Sequence, residues 1–194
     1  MKIFLSTIIL FLGVFNRSSH ALDLSPLLQG AYSSYSSEAS LIEKPQPTFS
    51  LGGSFLIGID VERIWGFETG LTYNRISLRF NEGTHNLNYL SMPLLLRITP
   101  VPLFVAYAGP YLGVPIATHQ LGTLRTELFN AAQGDSRADF GILLGGSVRT
   151  PLFGDLKLRV DLAYRLGLAN LSTAGSHVYV RQILLSAGVL FDLW

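Results

Sequence analysis

The alternation of side chains in residues 156–168 constrains the fold of this chain more than any other segment. Every second residue from Leu156 to Leu168 has a large apolar side chain, and the residues between them are charged or small. A helix would scatter both sets around its circumference, whereas an extended strand separates them onto two faces. The segment therefore predicts a β-strand with one apolar and one polar face. The polar face contains Lys157, Arg159, Asp161, Ala163, Arg165 and Gly167.

The amino terminus has the pattern of a secretory signal peptide. Lys2 precedes an apolar run, Ile3 to Phe15, that is short for a bilayer span, and Ser19-His20-Ala21 is a small-x-small cleavage site. We therefore expect residues 1–21 to be a cleaved signal peptide. Residues 22–194 are then a single exported domain.

Composition narrows the fold class further. The chain has no cysteine, so disulfides cannot stabilise an exported domain. Its mean hydropathy is +0.37, yet no stretch after the signal is long enough for an apolar transmembrane helix. This leaves a soluble β-fold with a large core or a lipid-facing barrel, whose apolar residues alternate along many strands. The formal net charge of +1 does not suggest binding of nucleic acid.

Eight segments have strand patterns, and we place their boundaries to within about 2–4 residues. An even number of strands is typical of transmembrane β-barrels. The segments are Leu27–Ser34, Thr48–Ile59, Trp65–Leu78, Leu87–Ile98, Leu103–Ala117, Phe140–Thr150, Leu156–Leu168 and Tyr179–Leu193.

The connections between these strands alternate between short and long. Outer-membrane barrels have short periplasmic turns and longer external loops, whereas a soluble sandwich has no reason to sort its loops in this way. We therefore predict an eight-stranded antiparallel up-and-down transmembrane β-barrel with a periplasmic amino terminus. The short connections are 60–64, 99–102 and 151–155, and the long ones are Ser36–Pro47, Arg79–Asn86, His119–Asp139 and Asn170–Val178.

The carboxyl-terminal strand supports a barrel. Its apolar residues lie on one face and its small or polar residues mostly on the other, as closure in a membrane requires. Ser186, Gly188, Phe191 and Leu193 also resemble the signal by which outer-membrane proteins are recognised for assembly. This resemblance implies the barrel assembly machinery as a partner, whereas the last strand of a soluble sandwich is the alternative interpretation.

Four further segments resemble the PorT-like outer-membrane β-barrel family. Residues 88–97 read N-Y-L-S-M-P-L-L-L-R, and 109–113, 139–145 and 164–168 match the later strands in family order. The resemblance covers most of the mature chain and implies an eight-stranded barrel in the cell outer membrane, surrounded by outer-membrane lipid. It implies no catalytic residues. Trp194 departs from the pattern, because it follows the terminal signal by one residue.

Nine charged residues are assigned by their phase to the inside of the barrel. A barrel of eight strands is only wide enough for side chains to fill it, so buried charges must be paired or hydrated. We favour a salt-bridged plug over a polar path for a small solute, although inward glycines could leave cavities. The nine residues are Glu68, Arg97, Asp139, Arg149, Lys157, Arg159, Asp161, Arg165 and Asp192.

Outside the predicted lumen, the sequence contains only weak candidates for catalytic or metal-binding motifs. His85, His119 and His177 lie in or near the predicted external loops, without the spacing of metal ligands. We therefore assign no catalytic, cofactor or metal site. The leading hypothesis is a non-enzymatic outer-membrane protein with an envelope or surface-interaction role. A narrow solute channel and a lipid-modifying rim enzyme are the alternatives.

Three prolines are difficult to fit into a barrel. Pro93, Pro110 and Pro115 lie inside predicted strands, where each removes a hydrogen-bond donor from the sheet. We expect bulges or kinks at these positions.

Overall fold

The computed structural model describes residues 22–37, 46–62, 64–80, 83–122, 138–169 and 178–193. Extended strands form almost all of this part of the chain. Among the described residues, no helix is long and apolar enough to cross a membrane. The strands are β1 (Leu22–Ser37), β2 (Thr48–Asp60), β3 (Trp65–Phe80), β4 (Gly83–Val101), β5 (Phe104–Gly122), β6 (Asp139–Phe153), β7 (Leu156–Gly167) and β8 (Val178–Asp192).

The eight strands form one closed antiparallel barrel in sequence order, because β8 pairs with β1. Following the paired residues around the barrel from Leu22 leads back to β1 at Tyr32, ten residues further along the strand. This shear corresponds to a strand tilt of about 40° and a backbone radius of about 8 Å. Such a lumen is narrow enough for side chains from opposite strands to meet.

The two ends of the barrel differ in their connections. Both ends of the described chain, Leu22 and Leu193, lie at one end of the barrel, and Leu193 donates a backbone hydrogen bond to the Leu22 carbonyl over 2.8 Å. The short turns after β2, β4 and β6 lie at this end, which we call the terminal end. The connections after β1, β5 and β7 are longer and leave from the opposite end, which we call the loop end.

The two faces of the sheet differ as the alternation predicts. Large apolar side chains are exposed on the outside of every strand, for example Leu28, Leu112 and Leu162. Polar and charged side chains, together with a smaller apolar set, are buried on the inside. An apolar outer wall of this extent needs lipid or detergent around it.

The prediction of an eight-stranded barrel is confirmed, but most strands are longer than predicted. β1 begins at Leu22 rather than Leu27. The prediction of Arg79–Asn86 as a long loop is wrong, because β3 and β4 continue to the pair Phe80–Gly83. His85 and His119 consequently belong to strands, and Asn86 is opposite His119. The predicted signal peptide, His177, and residues 38–45, 123–137 and 170–177 lie outside the described residues.

The prolines interrupt the sheet as expected. The register of β4 against β5 shifts at Asn88 and Tyr89, opposite Pro115, so this bulge is confirmed. Among the described residues, pairing of β3 with β4 is interrupted beside Pro93, and pairing of β4 with β5 is interrupted beside Pro110. In each case a missing N–H donor explains the loss of regular pairing.

Candidate functional site

The barrel lumen is the candidate site, and its terminal half contains a cluster of seven charged side chains. Six of the eight strands contribute to this lower charge cluster, so it forms only when the barrel is closed. Its members lie near the strand ends on the terminal side, where the inward positions are polar. They are Asp23, Asp60, Glu68, Arg97, Arg149, Arg159 and Asp161.

Glu68 lies at the centre of the lower charge cluster and is 1% exposed. Arg159 donates two parallel hydrogen bonds to its carboxylate, Nη1 to Oε2 over 2.7 Å and Nη2 to Oε1 over 2.9 Å. The Nε atom of Arg159 bonds Asp161 at 3.0 Å. Such a bidentate pair is the strongest geometry that a guanidinium and a carboxylate form, and it holds β3 and β7 together across the lumen.

Arg97 links the first strands of the barrel. Its Nη1 lies 2.7 Å from Asp23 Oδ2, and its Nη2 lies 2.6 Å from Asp60 Oδ1. The same guanidinium reaches Glu68 Oε2 at 3.6 Å. β1, β2, β3 and β4 are therefore joined by one buried cation.

Arg149 is held more loosely than the other two arginines. Its guanidinium approaches Asp23 at 3.6 Å and Glu68 at 3.8 Å. Among the described residues, its Nε and Nη2 atoms have no hydrogen-bond partner. Arg149 is also directly opposite Arg159 in the β6–β7 pairing, so acids from β1 and β3, together with Asp161 on β7, neutralise this like-charge pair.

A glycine makes room for the cluster. Gly58 faces the lumen on β2, and a Cβ atom at this position would overlap the Arg97 guanidinium and the Asp23 carboxylate. A larger residue would force these two side chains to move, so the glycine leaves the space in which Asp23 and Arg97 meet beside β2. The sequence suggested that inward glycines could leave cavities. At Gly58 the space beside the glycine is occupied by the Asp23–Arg97 ion pair.

A small cavity lies above the lower charge cluster. Its volume is about 40 Å³, enough for roughly two or three water molecules. Glu68 and Asp161 line it from below, and Leu95, Tyr107 and Leu184 contribute an apolar wall. The lumen is therefore narrowed both by charge pairs and by packed apolar side chains.

A second group of polar contacts lines the cavity on the side of the loop end. Arg165 binds Asp139 at 2.7 Å and lies over the ring of Tyr111, 4.0 Å from its centroid. On the opposite wall, Gln29 donates a hydrogen bond to Asn74 over 2.7 Å. The lumen thus has charged or polar layers on both sides of its central cavity.

The nine lumen residues selected from sequence do not form one cluster. Glu68, Arg97, Arg149, Arg159 and Asp161 meet in the lower charge cluster. Asp139 and Arg165 pair with each other instead, on the side of the cavity toward the loop end. Lys157 and Asp192 form a pair of 2.5 Å at the terminal rim, where their side chains are 33% and 31% exposed.

Sequence reasoning missed two acids of the lower charge cluster. Asp23 was left out because β1 was predicted to begin at Leu27, and Asp60 because it was assigned to a turn. The alternation of Asp23, Ser25 and Gln29 on one face was an available signal, although the apolar Leu27 interrupts it. The lumen therefore has two more acids than expected.

The residues of the predicted assembly signal lie on the strand that closes the barrel. Ser186 and Gly188 face inward, whereas Phe191 and Leu193 face outward and are exposed. A Cβ atom on Gly188 would collide with the Pro26 carbonyl oxygen, so this glycine permits close contact between β8 and β1. Recognition of these four residues by the barrel assembly machinery stays a prediction.

The described lumen is lined by charges of both signs. Its guanidinium and carboxylate groups neutralise one another, and no group of three or more potential metal ligands occurs in the described part of the chain.

Comparisons with known proteins agree with this architecture. Residues 16–173 match the family described as outer membrane protein beta-barrel domain. The structure resembles OprG from Pseudomonas aeruginosa, with a TM-score of 0.57, 13% identity, and coverage of 92% of this chain and 98% of OprG. It also resembles Ail of Yersinia pestis, with a TM-score of 0.51, 14% identity, and coverage of 87% and 98%. At these identities the likeness concerns the fold alone. Among curated proteins, no sequence matches.

Proposed function

Since this chain belongs to the outer membrane protein beta-barrel domain family and is located in the outer membrane, we propose that it is a non-enzymatic integral protein with an envelope or surface-interaction role. In this role the closed barrel anchors the chain and does not conduct solutes. The connections at the loop end then face the cell exterior.

The single observation that supports this proposal is the occlusion of the lumen by the lower charge cluster. Three arginines and four acids from six strands fill a barrel of about 8 Å backbone radius. Opening a path would separate buried ion pairs, which is costly because each removed partner leaves an uncompensated charge. The packed side chains of Leu95, Tyr107 and Leu184 narrow the lumen further.

Conductance in planar bilayers tests the proposal. We expect the purified, folded protein to insert without producing large, stable conductance steps. A double variant, Glu68→Ser with Arg159→Ser, removes the central pair and is expected to add small leaks without reaching porin-like values. Porin-like steps from the unmodified monomer would refute the closed barrel and favour the narrow-channel alternative in its place.

The orientation of the barrel follows from its connections. Outer-membrane barrels have short periplasmic turns, and the short turns of this protein lie at the terminal end. The terminal end is therefore assigned to the periplasm. Residues 123–137 and 170–177, which connect strands at the loop end, are the segments we propose for contact with extracellular or envelope partners.

Within the wider family, we assign the chain to the PorT-like group. The support is the ordered set of motifs at 88–97, 109–113, 139–145 and 164–168, together with the structural role of Pro93 in the first motif. A sequence profile built from PorT-like proteins alone should match these four segments in register. A better match to a profile of another small-barrel group would contradict the assignment.

The mature chain is proposed to comprise residues 22–194. β1 begins at Leu22, directly after the predicted cleavage site, and Asp23 is the first cluster residue. Amino-terminal sequencing of the exported protein should therefore read Leu-Asp-Leu-Ser. Cleavage beyond Asp23 would contradict this proposal, because it would remove an ion-pair partner of Arg97.

A further inference from the structure

β5 is longer than the strand on one of its sides. It pairs with β4 as far as the pair Gly122–Gly83, whereas its pairing with β6 ends at Gly113, opposite Asp139. In the part of the chain that the structure describes, residues 114–122 therefore have a strand on one side only. At about 3.3 Å per residue, this stretch is roughly 30 Å long. We call its unpaired side the free edge of β5.

The free edge begins where the membrane ends. A transmembrane strand needs about 9–11 residues to cross the hydrocarbon of a bilayer. β5 pairs with β6 through ten residues, 104–113, which begin at the terminal end. These residues are enough for the crossing, so residues 114–122 extend beyond the membrane at the loop end. Unpaired backbone groups are costly in lipid, and this position spares them that cost.

Pro115 explains why regular pairing with β6 stops. Arg149 donates a backbone hydrogen bond to the Leu103 carbonyl over 2.9 Å at the terminal end of this pairing. Since hydrogen-bonded pairs alternate along antiparallel strands, the odd-numbered residues of β5 as far as Gly113 direct their backbone groups toward β6. The next residue in this series is Pro115, which has no N–H to donate.

Beyond Pro115 the pairing with β4 shifts by one residue. Tyr89 is opposite Pro115, whereas Asn88 is opposite Ala117. Ile116 is therefore an extra residue in β5, and the even-numbered residues beyond it direct their backbone groups away from β4. The residues whose N–H and C=O groups form the free edge are Thr118, Gln120 and Gly122.

The free edge lacks the usual protections of an edge strand. Residues 116–122 contain no proline, lysine, arginine, aspartate or glutamate. The edge of β3 that faces β2 at the same end is covered instead. Gln46 donates a backbone hydrogen bond to the Arg79 carbonyl over 2.8 Å. The hydroxyl groups of Thr48 and Ser50 donate to two further carbonyls of β3.

A second copy of the barrel cannot complete this edge. Two barrels with the same orientation in one membrane are related by an axis along the membrane normal. Because the strands tilt by about 40°, facing strands of the two copies would cross at about 80°. Neighbouring strands of a sheet differ in direction by only about 20–25°. The partner must therefore be a polypeptide segment that is not part of a neighbouring barrel.

From these observations, we propose that the free edge of β5 binds an extended segment of an extracellular polypeptide by strand addition, antiparallel to β5. Main-chain hydrogen bonds to Thr118, Gln120 and Gly122 supply the affinity, so many side-chain sequences are accepted. The bound segment has about seven residues without proline, and β-branched or aromatic residues favour its extended form. The inference rests on the orientation and the surface-interaction role proposed above, and it specifies how a partner docks.

A synthetic peptide with the sequence of residues 83–90 is the probe, because this stretch of β4 pairs with the same part of β5 on its other side. Fluorescence anisotropy of the labelled peptide measures its binding to the purified, folded mature barrel in detergent. We expect saturable binding, and we expect Gln120→Pro to weaken it at least tenfold, because proline removes a donor that faces away from β4. Gln120→Ala is the matched control, since it keeps this N–H, and should change the affinity less than twofold.

Thr118→Pro provides a second variant with the same expected loss, and the heat-dependent shift on gels shows that each variant has formed a barrel. Equal binding by the folded proline variants and the unmodified protein would overturn the proposal. Equal binding of a fully N-methylated peptide would also overturn it, because apolar contact would then explain the affinity.

Binding that appears only after residues 124–136 are replaced by a Gly–Ser linker of equal length would assign the edge to the chain's own connection and overturn the proposal as well. The conductance experiment tests the proposed function separately. Porin-like conductance steps with intact peptide binding would refute the closed barrel and leave the docking edge in place.

Discussion

Glu68 is the residue on which the lower charge cluster depends most. Its carboxylate lies within 4 Å of Arg97, Arg149 and Arg159, and it is the only bidentate partner of Arg159 among the described residues. Removing one partner from a buried ion network leaves uncompensated charge. We expect Glu68→Gln to lower the free energy of unfolding by about 3–5 kcal/mol, measured by urea titration in lipid vesicles.

The pair at the terminal rim provides the control for this substitution. Lys157 and Asp192 are each about one-third exposed, so water screens their attraction. Lys157→Gln should therefore change the free energy of unfolding by at most about 1 kcal/mol. Similar losses for Glu68→Gln and Lys157→Gln would contradict a central role for Glu68.

A methyl group at Gly58 is expected to disturb the lower charge cluster. A Cβ atom at this position would occupy the space of the Arg97 guanidinium and the Asp23 carboxylate. Gly58→Ala should destabilise the barrel by about 1–3 kcal/mol, the usual cost of overpacking. Gly53→Ala on the same strand faces outward and meets only the Leu27 carbonyl oxygen at 3.3 Å, so its effect on urea unfolding should be smaller.

At the residue scale, the sequence predicted correctly which charged side chains of β7 face inward. It did not predict which residues they contact across the lumen. The alternation in β7 placed Arg159, Asp161 and Arg165 in the lumen. It could not show that Arg159 binds Glu68 while Arg165 binds Asp139, because pairing across the lumen depends on the shear. The shear in turn depends on the register of all eight strand pairs. Asp23 and Asp60 were missed because the ends of β1 and β2 were misplaced.

At the scale of the strands, β7 separates its two faces most completely. Leu162 faces lipid near mid-span and is 59% exposed, whereas Leu168 is an exposed residue directly after the strand, toward the loop end. Arginine costs about 2–4 kcal/mol at the membrane midplane and about 0–1 kcal/mol near the interface. Leu162→Arg should therefore destabilise the folded barrel much more than Leu168→Arg in a vesicle refolding assay. Equal losses would mean that the assigned depth is wrong.

Strand length was the least predictable property of the elements. Residues 79–86 are polar except for Phe80 and were predicted to be a loop, yet β3 and β4 pair into this segment as far as Phe80 and Gly83. Beyond the membrane both faces of a strand can contact water, so the alternation that identifies a strand disappears there. The prolines were predictable as irregularities because a missing N–H donor has the same effect in every sheet.

The orientation of the whole molecule can be tested on intact cells. Arg125 and Arg137 belong to the connection between β5 and β6, which leaves from the loop end, and Arg63 belongs to the short turn between β2 and β3 at the terminal end. Trypsin added to cells should cut near Arg125 or Arg137 but not at Arg63. Peptide mapping by mass spectrometry distinguishes these sites. Cleavage at Arg63 on intact cells, with the other two protected until the outer membrane is opened, would show an inverted topology.

The distribution of charge over the strands has a consequence for the folding pathway. In the β6–β7 hairpin, Arg149 is directly opposite Arg159. Asp161 of the same hairpin pairs with Arg159, whereas Asp23 and Glu68, the acids nearest Arg149, come from β1 and β3. A partly assembled sheet without these strands leaves Arg149 opposite a second cation and without these two acids, and is penalised for it. Incomplete intermediates are thereby disfavoured relative to the closed form. We therefore expect cooperative folding, in which the native state appears without a stable half-barrel.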